Sequence, residues 1–237
     1  MQRSLFSTRR RLLAAMPALA GALALPARAA QAAPPTQVRW IFDRLDRIGG
    51  LRPQVEGDPK VIDAPGGKAI QFDGVDDALF IEQHPLAGAE TFTFEAVFRP
   101  DGGAFEQRWF HLASNEPGQN VHAPNGTRFL FEIRVVDKEW YIDTYTRGDG
   151  YAQTMIFPDK RHPLGTWHHV AQTFDGRYYR VWVNGQLQGE AGIAFKAQGP
   201  GRASIGTRIN RLNYFKGAVR EARFTHAALA PEQFLHV

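Results

Sequence analysis

Two carboxylates face each other across a hairpin that can be registered from the sequence. With Asp137-Lys138 as a two-residue turn, Val135 pairs with Trp140, Ile133 with Ile142 and Phe131 with Thr144. On the reverse face Glu132 then lies opposite Asp143, Arg134 opposite Tyr141 and Leu130 opposite Tyr145. Directly opposed residues hold their β-carbons roughly 5 Å apart. Like charges at that spacing repel unless an arginine bridges them, a metal binds or one carboxyl keeps its proton. Two carboxyls about 5–9 Å apart are also the acid and the nucleophile or base of glycoside hydrolysis. Tyr141 and Tyr145 add rings that can stack on a sugar, and Arg134 adds a planar fork for hydroxyls or carboxylates. The plain alternative is a polar face filled with ion pairs such as Glu132 with Arg134.

A later hairpin supplies further candidates. Asp175-Gly176 is a favoured turn pair, and with Arg177 near the bend it sets Val170 opposite Val181, His169 opposite Trp182 and Ala171 opposite Arg180. His169, Tyr178, Arg180 and Trp182 then share one face. Trp109 and His111 join the group, since Phe110 and Leu112 alternate with them. Spacing alone does not say whether the two hairpins lie in one sheet. No nucleophile-elbow motif for serine chemistry is present, and His168 and His169, as neighbours, point to opposite faces.

The elements that must position these groups are strands. Phe92, Phe94, Ala96 and Phe98 alternate with Thr93, Glu95, Val97 and Arg99. Phe129, Phe131, Ile133 and Val135 form a second apolar stripe, and Val181 and Val183 a third. Such period-two runs, divided by Gly, Pro, Asn and Asp clusters, predict an all-β sandwich or barrel of antiparallel strands. No repeat or composition shift divides the chain after Pro34-Pro35.

Residues 1–29 read as a leader rather than as fold. Arg3, Arg9, Arg10 and Arg11 precede an apolar run from Leu12 to Leu25, and Ala27-Arg28-Ala29 offers a small-x-small cleavage site. Thr8-Arg9-Arg10-Arg11-Leu12-Leu13 matches the twin-arginine pattern, with ordinary Sec export as the alternative. The expectation is an exported protein, periplasmic or extracellular, with one domain over residues 33–237. The apolar run is too short for a stable membrane span, and no later segment qualifies. The chain carries 28 Lys+Arg against 24 Asp+Glu, but the leader holds five arginines and no acid. The remainder has 23 basic and 24 acidic residues (28 − 5 against 24), so its charge gives no reason to expect nucleic acid as a partner. The absence of cysteine excludes disulfides, thiolate metal sites and a cysteine nucleophile.

Several motifs resemble one family. Trp167-His168-His169-Val170-Ala171, Asp175-Gly176 and Val181-Trp182-Val183-Asn184-Gly185 look like the central signature of laminin-G-like domains. Phe72-Asp73-Gly74-Val75-Asp76-Asp77 resembles an earlier turn, and Phe92-Thr93-Phe94-Glu95-Ala96 the strand after it. Phe215-Lys216-Gly217-Ala218-Val219 and Ala228-Leu229-Ala230-Pro231-Glu232 are similar to the closing strand and its short helical turn. The resemblance implies a two-sheet antiparallel jelly-roll sandwich of the concanavalin A-like type. It also implies a structural calcium, with Asp43 and the Asp73–Asp77 loop as ligands, although Arg220 stands where the pattern usually has an acid.

Chemistry and resemblance together lead to a glycan-binding module. Its candidate residues are Glu132, Arg134, Tyr141, Asp143, Tyr145, His169, Arg180 and Trp182, with a polysaccharide as the partner. A second reading is a polysaccharide lyase or glycoside hydrolase on the same face. For a lyase, Tyr141, Tyr145, His111 or His169 would be the base and Arg134 or Arg180 the carboxylate partner. In the glucanase pattern of this fold several acids alternate on one strand, and here Arg134 occupies the middle position. A third reading is a structural or adhesion domain that binds a protein partner.

Overall fold

The alternating stripes bury one side of each strand. Phe92, Phe94, Ala96 and Phe98 are all inaccessible, as are Phe131, Ile133, Val170 and Val181. The computed structural model describes residues 34–114 and 126–237, and the expected leader, 1–29, lies outside them. In chain order the strands begin with β1 (Gln37–Ile41), β2 (Gln54–Glu56), β3 (Lys60–Ala64), β4 (Gly67–Asp73) and β5 (Ala78–Ile81). They continue as β6 (Phe92–Pro100), β7 (Glu106–Ser114), β8 (Arg128–Val136), β9 (Glu139–Gly148), β10 (Tyr151–Ile156) and β11 (His162–Pro163). The last are β12 (His168–Phe174), β13 (Tyr178–Val183), β14 (Gln186–Gly192), β15 (Gly201–Ile205) and β16 (Lys216–Thr225). Among the described residues one 3₁₀ turn, Pro231–Gln233, sits where the family resemblance implies the closing helical turn.

These strands make two antiparallel sheets, the sandwich expected from the sequence. One runs β14-β13-β12-β6-β16-β4-β3, with β1 also on β16; the other runs β10-β9-β8-β7-β15-β5-β2, with β11 on β9. Between them lies one aromatic core, in which Trp109 stacks on Phe98 at 4.3 Å and on Phe131 at 5.3 Å. Among the described residues no helix is long and apolar enough to cross a membrane.

The β8–β9 register is the one read from the sequence, with Glu132 opposite Asp143, Arg134 opposite Tyr141 and Leu130 opposite Tyr145. Asp137 takes the turn's positive φ of 57°, a conformation short polar residues tolerate. The β12–β13 register differs from expectation. Val170 pairs with Val183, Ala171 with Trp182 and Thr173 with Arg180. The Asp175 carboxylate accepts the amides of Arg177 and Tyr178, so the connection is longer than a two-residue turn. Asn184 and Gly185, at φ 49° and 73°, close the next hairpin in the conformation such a pair favours.

Trp109 is also corrected. Arg108 pairs with Glu132 but Phe110 with Phe131, so Trp109 is the extra residue of a β-bulge and turns into the core beside Phe110. The bulge resets the alternation. Arg108 before it and His111 after it therefore share the outer face.

Candidate functional site

The two hairpins belong to different sheets, which divides the sequence candidates. Glu132, Arg134, Tyr141, Asp143 and Tyr145 lie together on the outer face of β8 and β9. His169, Arg180 and Trp182 lie on the outer face of the opposite sheet, so the eight residues cannot act as one site.

On that opposite face the chain covers itself. Phe234 stacks on His169 at 5.1 Å and meets Trp182 edge-on at 5.7 Å. Beneath it, His169 Nε2 donates to the fully buried Glu95 carboxylate at 2.8 Å, and the Leu235 amide donates to the same oxygen at 2.7 Å. Trp182 donates to Thr173 at 3.0 Å, while Arg180 is held by Asp175 and Glu190. His168 hydrogen-bonds Thr166, Pro163 O and Asn184.

The β8–β9 face carries a connected charge network. Arg134 reaches Asp143 at 2.6 Å, Glu132 at 3.6 Å and Glu106 at 3.5 Å. Arg108 lies 3.2 Å from Glu132, and it also pairs with Glu106 and donates to Asn213 at 2.6 Å. Two guanidiniums thus hold three carboxylates. Burial raises the Glu132 carboxyl above its usual range. Burial, and then the charge of Glu132, pushes Asp143 up to about 7 against the pull of Arg134. Of the outcomes anticipated for opposed carboxylates, the arginine bridge is present, and the upward shift of Asp143 favours its protonated form below about pH 7. Aromatic rings border the network, with Arg134 over Phe105 at 5.9 Å and Arg128 over Tyr145 at 5.9 Å.

Beyond the network the same face turns basic. Arg128 follows Leu130 outward on β8, and Arg147 lies opposite it on β9. On β15, Arg202 and Ser204 point outward opposite Ala113 and His111 of β7. The segment after β15 folds back over this end. Gly206, at φ 88°, donates to Trp109 O and accepts from the Phe215 amide, while the Ile209 amide donates to His111 Nδ1 at 3.2 Å. This places Arg208 near Arg128 and Arg108; burial, and then those two charges, push its guanidinium down to about 10. Sequence reasoning included His111 but missed Glu106, Arg108, Arg128, Arg202 and Arg208. Alternation marks Glu106 and Arg108 within β7, but the bulge hides their relation to His111. Nothing local announces that β15 and its loop join β7.

The expected calcium ligands do not come together. Asp43 lines a cleft with Arg39, Lys68 and Arg220, whereas Asp73 lines another with Asp76, Asp77 and Lys216. Carboxylate oxygens of Asp73, Asp76 and Asp77 approach within 4.8 Å. Asp73 Oδ1, however, accepts the amides of Val75, Asp76 and Asp77, and both oxygens of Asp77 accept amides of Asp58 and Asp73. Calcium takes six to eight oxygens; Asp77 and Asp73 Oδ1 already hold the turn, and Asp43 lines the other cleft, so the expected ligands are not assembled at one place.

The comparisons agree with this architecture. The concanavalin A-like lectin/glucanases superfamily matches residues 73–234, and the chain belongs to that family. Among solved structures, the chain is similar to domain 4 of AbnA, a GH43 extracellular arabinanase from Geobacillus stearothermophilus, in complex with arabinotriose. That likeness has a TM-score of 0.60 at 17% identity and covers 85% of this chain and 97% of the other. It is also similar to the binding domain of Paraclostridial Mosquitocidal Protein 1, with a TM-score of 0.57 at 14% identity over 83% of this chain. The binding domain of Botulinum Neurotoxin DC in complex with SialylT gives a TM-score of 0.55 at 9% identity over 83% of this chain. The chain spans about half of each toxin domain, 50% and 49%. No curated protein matches it in sequence.

Proposed function

We propose that the protein is an exported, lectin-like domain that binds a polysaccharide on the outer face of β7, β8 and β9. The observation that carries this reading is the Glu106-Arg108-Glu132-Arg134-Asp143 network, bordered by Tyr141, Tyr145 and Phe105 on a single face. Paired guanidiniums and carboxylates offer fixed donors and acceptors to hydroxyls, and the accessible rings of Phe105 and Tyr145 offer flat apolar surface to pyranose faces, whereas Tyr141 is buried beside them. The arabinotriose and SialylT complexes of the similar domains support the same reading. Export is supported by the arginine-led apolar segment before Ala27-Arg28-Ala29 and is tested by sequencing the N-terminus of protein recovered outside the cytoplasm. A glycan array of neutral and acidic polysaccharides tests the binding. Tyr145→Ala should lower affinity for the bound glycan, and an array with no ligand would refute the proposal.

One observation favours the enzymatic reading. Asp143, up to about 7, stands opposite the second carboxyl of Glu132, as an acid and its partner would. Reducing-end and unsaturated-product assays on each bound glycan decide it. Turnover lost in Asp143→Asn assigns a hydrolase or lyase, and binding without turnover assigns a lectin.

A further inference from the structure

Around His111 three buried donors have no hydrogen-bond partner among the described residues. The ring is 1% exposed, and its Nδ1 accepts the Ile209 amide, so the proton of the neutral ring sits on Nε2. Burial, then Arg208 and Arg128, hold this histidine well below its ordinary range, which keeps the ring neutral. Nε2–H is therefore a buried donor, and among the described residues it has no hydrogen-bond partner. The Nε–H groups of Arg202 and Arg208 are likewise buried and unpartnered. Arg202 lies diagonal to His111 across β7 and β15, a spacing of roughly 7–8 Å. Arg208 approaches from the loop tied to the ring at Ile209. Arg202 and Arg208 are partly exposed as residues, while their Nε–H groups, like His111 Nε2–H, are covered. Arg108, a few residues away on the same face, has its acids in Glu106 and Glu132, whereas no described acid pairs with Arg202 or Arg208. Buried unpaired donors and clustered positive charge without a direct ion pair are costly, and one group relieves both: an acceptor oxygen that brings negative charge.

We propose that Arg202, Arg208 and His111 form an anion subsite, and that the glycan bound by this face is acidic, carrying a carboxylate or a sulfate. This rests on the glycan-binding reading above and deepens it. Neutral sugar segments would lie along Tyr145 and the network at Glu132 and Asp143, with the charged substituent directed toward β15.

The test is calorimetric titration of the full protein with matched probes: polygalacturonate and its carboxyl-reduced form, and dextran sulfate and dextran. At least one acidic probe should bind about tenfold or more tightly than its neutral match, the effect of one charge-assisted hydrogen bond. That preference should shrink as salt is raised. Arg208→Gln and Arg202→Gln should each remove most of it while leaving the melting temperature unchanged, because among the described residues neither side chain has an ion-pair or hydrogen-bond partner to lose. The pair that shows the preference identifies the group as carboxylate or sulfate. Equal binding of acidic and neutral probes, insensitive to Arg208→Gln, overturns the anion subsite and leaves glycan binding intact. Binding to none of these probes, nor to any glycan of the array, overturns both.

Discussion

Replacing Asp143 with Asn tests the charge network directly. The Asp143 carboxyl is raised from 3.8 to about 7 by burial and by Glu132 opposite it. At ~1.36 kcal/mol per unit, a shift of that size corresponds to about 4 kcal/mol. Because the folded value lies above the unfolded one, the protonated carboxyl favours the fold below about pH 4. That contribution is lost as pH rises through the folded value near 7. Asn keeps a carbonyl oxygen for Arg134, which lies 2.6 Å from the carboxylate, and cannot ionise. It also leaves two arginines facing two acids. The stability of Asp143→Asn relative to wild type should therefore rise by about 4 kcal/mol between pH 4 and pH 8. In melting temperature this is roughly 10 °C for a domain of this size. Urea titrations of both proteins across that range, followed by tryptophan fluorescence, measure the difference. A difference that stays flat with pH would refute the reasoning, since Asp143 would then be ionised in the fold at no cost.

Other expected outcomes follow from the same contacts. Arg134→Ala leaves the buried Glu132 and Asp143 carboxylates short of a cation and should cost about 3–5 kcal/mol in urea unfolding. Trp182→Ala should leave glycan affinity unchanged in the array, because Trp182 lies on the other sheet under Phe234; a tenfold loss would return it to the site. Gly206→Ala introduces a methyl 2.5 Å from the Phe72 ring at φ 88°. It should destabilise by about 2–3 kcal/mol and lower the acidic-glycan preference by displacing Arg208, read by melting and titration together.

What could be read in the sequence follows the range of the interactions. The β8–β9 hairpin was legible because a short turn and strict alternation fix both register and face, and Glu132, Arg134, Tyr141, Asp143 and Tyr145 fell together as expected. The β12–β13 pairing missed by two residues because Asp175 spends its carboxylate on the two amides that follow and lengthens the turn. Trp109 was misplaced because alternation carries no mark of a bulge. His169, Arg180 and Trp182 were grouped with the wrong partners because sheet membership depends on pairings between distant strands, β12 with β6 and β7 with β15. The same long-range pairing assembles the basic end, so Arg202 and Arg208 gave no local sign of a site.

The covering of His169 and Trp182 by Phe234 and Leu235 has a consequence for selectivity between the two faces. A tethered segment competes with free ligands at an effective concentration on the order of millimolar. A sugar that met Trp182 with the weak affinity of a single stacking contact would lose to the chain's own phenylalanine. Phe234 is therefore placed as a built-in competitor at His169 and Trp182, which is consistent with the proposal that recognition falls to the arginine-bearing face of the other sheet.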